Sequence, residues 1–363
     1  MTNAISTLLL RDASHGGSAG QPAAVAAALA DFVGAAKDSI ELAIYDFRLS
    51  DALAPTVVGA FTDAAKRGVQ VRIGFDAGKP ATAGVLDFAE LAADPAPVGT
   101  QDWVHEKFDG TGVATRAIKA YPQLMHSKYV VRDKSAVWTG SANFTDDAWT
   151  YQENNILRVW SAKVAAGYLT DFEQLWSTGA IKGTGEDDGS TTDIGWMFSP
   201  GDGREIDARL CSSVNDAKTR IAIATMVITS DTLLTALCAA IDRGVPVSGI
   251  YDAGQMGPIA KSWGKSPHSS SKLANWTKLS ARLVPKFSTP YSPTGKHDFL
   301  HNKILVADGV CLTGSYNFSA NAQRNAENQL RITIPEVVES YVEYISTITE
   351  TYRGLPHSAV EVA

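Results

Sequence analysis

A chain of 363 residues is long enough for two domains of ordinary size. With 45% hydrophobic and 20% charged residues it can bury a core large enough to offset chain entropy, which excludes a disordered or fibrous protein. The formal net charge of −7 argues against a nucleic-acid coat protein.

The opening stretch, MTNAISTLLLRDASHGG, has no basic lead and too short an apolar run for a signal peptide. The longest uncharged apolar run near it, Gln21 to Ala30, is far below the roughly 18 residues that a membrane span needs. A cytoplasmic location is expected, with export by another route as the alternative. A helical segment around Ala23 to Lys37 leads into an apolar strand at Ile40, IELAIYDF. A second helix ends at Arg67-Gly68, where glycine stops it, and VQVRIGFD supplies the next strand. Strand, helix, strand implies parallel pairing under a helical cover. A long irregular insertion, Gly78 to Gln123, precedes the strand MHSKYVVRD, the turn DKS and the strand AVWTG. A helix near Ala162 to Trp176 closes this half, and the polar, Gly-rich stretch 183–193 reads as a linker.

The same order then repeats. A helix lies around Glu205 to Lys218, a strand at RIAIATMVI, a basic-Gly stop at Arg243-Gly244, and a strand at VPVSGIYD. An insertion from Gly254 to Lys296, the hairpin LHNKILVAD to VCLTG, and a helix near Glu336 to Arg353 complete the unit. The offset between matching segments stays near 175 to 181 residues, too long for a solenoid repeat and suited to a duplicated domain pair. The division is therefore 1–182, a linker at 183–193, and 194–363.

Within each half one set of polar residues recurs: His126, Lys128, Asp133, Gly140, Ser141, Asn143, Glu153 and Asn154, then His301, Lys303, Asp308, Gly314, Ser315, Asn317, Glu327 and Asn328. His and Lys are two apart, so on a strand they share one face, and an imidazole beside an ammonium suits attack on an anion. Asp133 and Asp308 lie five past the lysine, an odd number, and fall at the hairpin turn, so they should face away from the phosphate and stabilise the turn or strand end. Gly-Ser-x-Asn offers hydroxyl, amide and backbone N–H donors to phosphate oxygens. Glu153 and Glu327 can accept a histidine Nδ1 proton and leave Nε2 as the reactive nitrogen. No spaced set of His, Cys or carboxylates suggests a metal or other cofactor, and Cys211, Cys238 and Cys311 suggest neither a disulfide framework nor a zinc site.

These paired strings resemble the HKD motifs of the phospholipase D superfamily, and the similarity spans nearly the whole chain. The resemblance implies two α/β halves, with mixed, largely parallel sheets flanked by helices, packed on a pseudo-twofold axis. It also implies metal-free phosphodiester transfer through a phosphohistidine. One of His126 and His301 would attack phosphorus while the other protonates the leaving oxygen and later activates water or an alcohol. Lys128, Lys303, Asn143 and Asn317 would bind the phosphoryl oxygens, Ser141 and Ser315 would assist, and Glu153 and Glu327 would orient the histidines.

For the substrate, the segment from Ala253 to Leu300, around the second insertion, carries Lys261, Lys265, Lys272, Lys278, Arg282, Lys286 and Lys296 against Asp298 alone. The first carries Asp87, Glu90, Asp94, Asp102, Glu106 and Asp109 against Lys79, Lys107, Arg116 and Lys119. Lys261, Lys265, Lys272 and Lys278 with Trp103, Trp263 and Trp276 are the candidate cleft residues. They would serve a glycerophospholipid, through an apolar entrance, or a nucleic acid, through a basic stacking channel. The acidic whole-chain balance favours phospholipid. A metal-independent nuclease and a phosphate-recognition module without turnover are the alternatives. A monomer with at most peripheral membrane contact is expected.

Overall fold

The structure is a computed structural model that describes residues 4–78, 97, 99–183, 185, 188–292 and 295–355. Lys79, Asp87, Glu90 and Asp94 of the first insertion and part of the 183–193 stretch lie outside the described residues.

The first half runs β1 (Ala4–Leu9), α1 (Gln21–Gly34), β2 (Ser39–Ile44), β3 (Phe47–Arg48), α2 (Ala54–Lys66), β4 (Gln70–Asp76), α3 (Thr100–Phe108), β5 (Ala114–Ile118), β6 (Lys128–Arg132), β7 (Ala136–Gly140), β8 (Phe144–Thr145), α4 (Asp146–Thr150), β9 (Asn155–Trp160) and α5 (Ala162–Thr178). The second runs β10 (Gly189–Ser190), β11 (Ile194–Ser199), α6 (Gly203–Asp216), β12 (Ile221–Thr225), α7 (Asp231–Asp242), β13 (Val247–Asp252), α8 (Ala253–Gly264), α9 (Ser270–Ser280), β14 (Val284–Lys286), β15 (Lys303–Ala307), β16 (Val310–Gly314), β17 (Glu327–Ile332) and α10 (Pro335–Arg353).

The main sheets have the orders β1-β9-β7-β6-β2-β4-β5 and β10-β11-β17-β16-β15-β12-β13-β14. Apart from β10, the two orders match strand for strand, so the duplication seen in the motifs is a duplication of topology. Both sheets are mixed, but the parallel share is smaller than the strand-helix-strand reading implies. It is confined to β2-β4-β5 and β12-β13-β14, and every other neighbour in these sheets is antiparallel. Each motif enters a tight hairpin, β6-β7 or β15-β16, and a short turn can only reverse the chain.

α2 and α7 stop where the basic-Gly pairs stand, with Gly68 and Gly244 at φ of 90° and 80°. This is the left-handed closure that glycine adopts without a Cβ clash. The insertion 254–296 is not irregular as expected: it forms α8, α9 and β14, with α9 against α7. Its Ser-rich turn and the Pro258 inside α8 hide the helical period, while the Asp252 side chain caps α8 by accepting from Gln255 N–H at 3.0 Å.

The inner faces of both sheets, together with α5 and α10, form one core through Tyr168, Trp196, Phe198 and Tyr341. α1 and α2 cover the outer face of the first sheet, and α6, α7 and α9 that of the second. The strands that follow the motif histidines, β6 and β15, therefore lie sandwiched between buried layers. Among the described residues no helix is long and apolar enough to cross a membrane.

Candidate active site

His126 and His301 sit two residues ahead of Lys128 and Lys303, which open β6 and β15; all four side chains are buried. At the far end of each strand Asp133 and Asp308 adopt φ of 51° and 49° in the hairpin turns. Asp133 accepts the backbone N–H groups of Lys37, Asp38 and Ser39. Asp308 accepts those of Lys218, Thr219 and Arg220 and the Thr219 hydroxyl. Partial burial opposes ionisation of Asp308, but these four donors outweigh it and hold the carboxyl well below the usual carboxylate range.

The two halves cross at the histidines. Met125 bridges Ala326, with His126 N–H donating to Ala326 O at 2.9 Å, and Glu153 bridges Leu300. His126 Nδ1 meets Glu327 Oε2 of the other half at 2.7 Å. His301 Nδ1 meets Ser141 O at 3.0 Å and Asn154 Oδ1 at 3.1 Å. Nδ1 of both rings faces oxygen acceptors, so it carries the proton and the neutral ring has its lone pair on Nε2. The ring centroids are 6.4 Å apart. Lys128 Nζ donates to His126 O at 2.6 Å and Lys303 Nζ to His301 O at 2.7 Å, which holds each ammonium beside its own histidine. The Tyr45 ring stands 4.9 Å from both the His126 ring and Lys128 Nζ.

The expected role of Glu153 is corrected by the strand register. Gly140 pairs with Ile156, whereas Gly314 pairs with Gln329, so the first half holds one extra residue between its glycine and the following strand. Asn155 donates to Thr313 Oγ1 and Tyr341 OH; Asn328 accepts from Thr139 Oγ1 and Tyr168 OH, the matching pair. Asn155 is therefore the counterpart of Asn328, and Asn154 that of Glu327. Glu153 falls one position early and faces away from His301. It binds Lys286 Nζ at 2.5 Å, Tyr352 OH at 2.6 Å and Asp12 N–H at 3.3 Å. Burial alone would depress the Lys286 ammonium; the facing Glu153 and Asp12 carboxylates lift it above the ordinary lysine value instead. Asn-x-Leu-Arg, at 155–158 and again at 328–331, is the sequence signal that aligns the strands correctly.

Ser141 and Ser315 are also used differently from expectation. Ser141 Oγ donates to Asn154 Oδ1 at 2.7 Å and accepts from Asn155 N–H, and Ser315 Oγ accepts from Asn328 N–H at 2.9 Å. They fasten β9 and β17 beside the site, where a Cβ on Gly140 or Gly314 would strike Asn155 O or Asn328 O at 2.1 and 2.3 Å. Asn143 and Asn317 are buried, each with an Oδ1 that has no hydrogen-bond partner.

Two carboxylates escaped the sequence reading. Asp76 Oδ2 accepts Met125 N–H at 2.7 Å and Asp252 Oδ2 accepts Leu300 N–H at 2.8 Å, fixing the peptide ahead of each histidine. Burial pushes both carboxyls up to about 6, against the backbone donors that favour the charged form. Their signal was the repeated Asp-Ala-Gly that follows Phe75 and Tyr251.

A cleft of about 580 Å³ opens onto His301 and Asn143. Its walls carry Tyr45, Asp46, Arg48, Asp146, Asp147, Gln152, Tyr291, His297 and Phe299. The rings of Tyr291, His297 and Phe299 stack at 5.1 and 5.4 Å. Lys261, Lys265, Lys272 and Lys278 are not in its lining, and neither are Trp103, Trp263 and Trp276. The reason is that α8 and α9 extend the outer helix layer. Lys272 approaches Asp231 at 3.8 Å and the Trp263 ring at 5.5 Å, Lys278 binds Asp242 at 2.5 Å, and Trp276 is buried against Tyr251. Trp103 packs on Phe47, its indole N–H donating to Leu49 O. Among the described residues no three His, Cys, Asp or Glu side chains converge as a metal set.

The family model described as cardiolipin synthase, PLD-like domain, matches residues 29–176 and 210–349, one match in each half. The chain belongs to the phospholipase D-like family of phosphodiesterases. The mitochondrial cardiolipin hydrolase of Xenopus laevis is 28% identical over 141 residues, 39% of this chain and 56% of that protein. A phospholipase D of Rickettsia bellii is 30% identical over 149 residues, 40% of this chain and 60% of that protein. The chain thus spans little more than half the length of these curated relatives. The phosphatidylserine synthase of Haemophilus influenzae shares the fold, with a TM-score of 0.63 at 13% identity over 94% of this chain and 87% of its own.

Proposed function

We propose that this protein cleaves glycerophospholipid phosphodiesters by way of a phosphohistidine, with His126 as nucleophile and His301 as proton shuttle. The observation that carries the reading is the pair of imidazoles from separate halves, 6.4 Å apart, each with Nδ1 held by acceptors, with His301 on the cleft lining and His126 buried behind it against Tyr45. His126 Nε2 attacks phosphorus, and the ring's developing positive charge faces the Glu327 carboxylate. His301 enters this step as the imidazolium: the P–O bond to the leaving alcohol breaks, and that oxygen takes the proton from His301 Nε2, leaving the neutral ring protonated at Nδ1. Neutral His301 then removes a proton from water or an alcohol, whose oxygen displaces His126 from phosphorus. Lys128 and Lys303 supply the positive field; an ammonium about 4 Å from a phosphoryl oxygen contributes roughly 4 kcal/mol at an effective dielectric near 20.

Phospholipid is favoured over nucleic acid by the cleft wall. Asp46, Asp146 and Asp147 are offset there by Arg48, and four aromatic rings line the same space. Such a wall repels a polyanionic track and accepts a single phosphodiester with an apolar or cationic flank. The test is a side-by-side assay on phosphatidylcholine vesicles, single-stranded DNA and RNA, with His126→Ala and His301→Ala as controls. Lipid turnover, lost at least about 100-fold in each variant, is the expected result. Turnover of nucleic acid with the vesicles untouched would overturn it.

A further inference from the structure

The extra residue ahead of β9 leaves the two histidines with different supports: Glu327 carboxylate for His126, Asn154 amide for His301. We propose that Asn154 is the positioning residue of His301, a neutral support that orients the proton shuttle without pinning its charge. This rests on the phosphodiesterase reading above. The amide orientation is set by its own bonds: Asn154 Nδ2 donates to Ala148 O and Gln152 Oε1, both at 3.0 Å, so Oδ1 must face Ser141 Oγ and His301 Nδ1. Ser141 O is the second acceptor, and both oxygens can only receive a proton from Nδ1. The ring is held in one tautomer whether neutral or charged.

A proton shuttle has to release the proton at the leaving oxygen and then recover one from water, so it must pass easily between both charge states. A buried carboxylate on Nδ1 would favour the imidazolium and slow the release. The carboxylate that could have done so, Glu153, is turned away and held by the Lys286 ammonium at 2.5 Å. Of the other titratable groups around His301, His126 lies across the site and Lys303 two residues on, at the start of β15. Tyr45, Asp46, Arg48, Asp146, Asp147, Tyr291 and His297 share the cleft, and Asp252 binds the Leu300 peptide.

The test is Asn154→Asp, read by an isotope-detected pH titration of the His301 ring in the free protein and by the pH profile of kcat/KM. The titration needs no substrate, so it reports on the support even if the choice of substrate is wrong. A carboxylate at this distance should raise the His301 midpoint by about one pH unit or more and carry the basic limb of kcat/KM upward with it. An unmoved midpoint in a folded variant overturns the proposal. If the variant fails to fold, Asn154→Ala decides: a kcat loss of about tenfold or more at nearly constant KM, with a second ring tautomer populated, is expected. Wild-type kcat with a single tautomer overturns it.

Discussion

Glu327→Gln and Glu153→Gln separate two glutamates that stand at equivalent places in the repeated sequence string. Glu327 is fully buried and accepts His126 Nδ1–H at 2.7 Å; glutamine keeps the shape and an acceptor oxygen but removes the charge. A hydrogen bond to a charged partner contributes about 1.5–3 kcal/mol net, and at roughly 1.4 kcal/mol per factor of ten this predicts a kcat about 10- to 150-fold lower. Glu153 instead anchors Lys286, Tyr352 and the Asp12 peptide, all buried. Removing Glu153 leaves the buried Lys286 ammonium with the Asp12 carboxylate alone, at 3.5 Å, and breaking such a buried pair costs up to about 3–5 kcal/mol of stability. Glu153→Gln should therefore melt well below wild type while its rate per folded molecule stays within about threefold. The assay is steady-state hydrolysis of a chromogenic phosphodiester beside a thermal melt of each variant. A Glu153→Gln protein that melts normally and has lost turnover, or an Glu327→Gln protein at wild-type rate, would refute the register argument.

Asp308→Asn should lower Tm at neutral pH with little effect on turnover per folded molecule. Its carboxyl is held low in the folded state, so its contribution is present above the unfolded value near 4 and lost as pH falls below it; the Tm gap between wild type and variant should close in acid. Simultaneous Lys→Gln replacement at Lys261, Lys265, Lys272 and Lys278 should leave KM unchanged, since α8 and α9 lie outside the cleft lining; a several-fold rise at low salt would place them at the substrate after all. Dialysis against a chelator should not alter the rate, because the imidazoles and lysines can supply nucleophile, proton transfer and field; activity lost and then restored by Zn²⁺ or Mg²⁺ would contradict the proposed chemistry.

The sequence alone determined what is local. Residues two apart on a strand share a face, so His126 with Lys128 and His301 with Lys303 were legible without coordinates. The DKS and DG stretches between strand runs placed Asp133 and Asp308 at turns, and Arg67-Gly68 and Arg243-Gly244 marked helix ends, because backbone geometry there depends on a few adjacent residues. The doubled pattern likewise contained the duplicated topology. Tertiary structure decided what depends on register and on contacts between the halves. One residue more or less between Gly140 and β9 turns a side chain to the opposite face, so it gave His301 an amide and sent Glu153 to Lys286. Asp76 and Asp252, remote in sequence from the histidines they support, met them only when β4 and β13 came to lie beyond β2 and β12 from β6 and β15. Lys272 and Lys278 belonged to a run whose composition suited a cleft, but composition carries no direction, and the packing of α9 on α7 set them beside Asp231 and Asp242 instead.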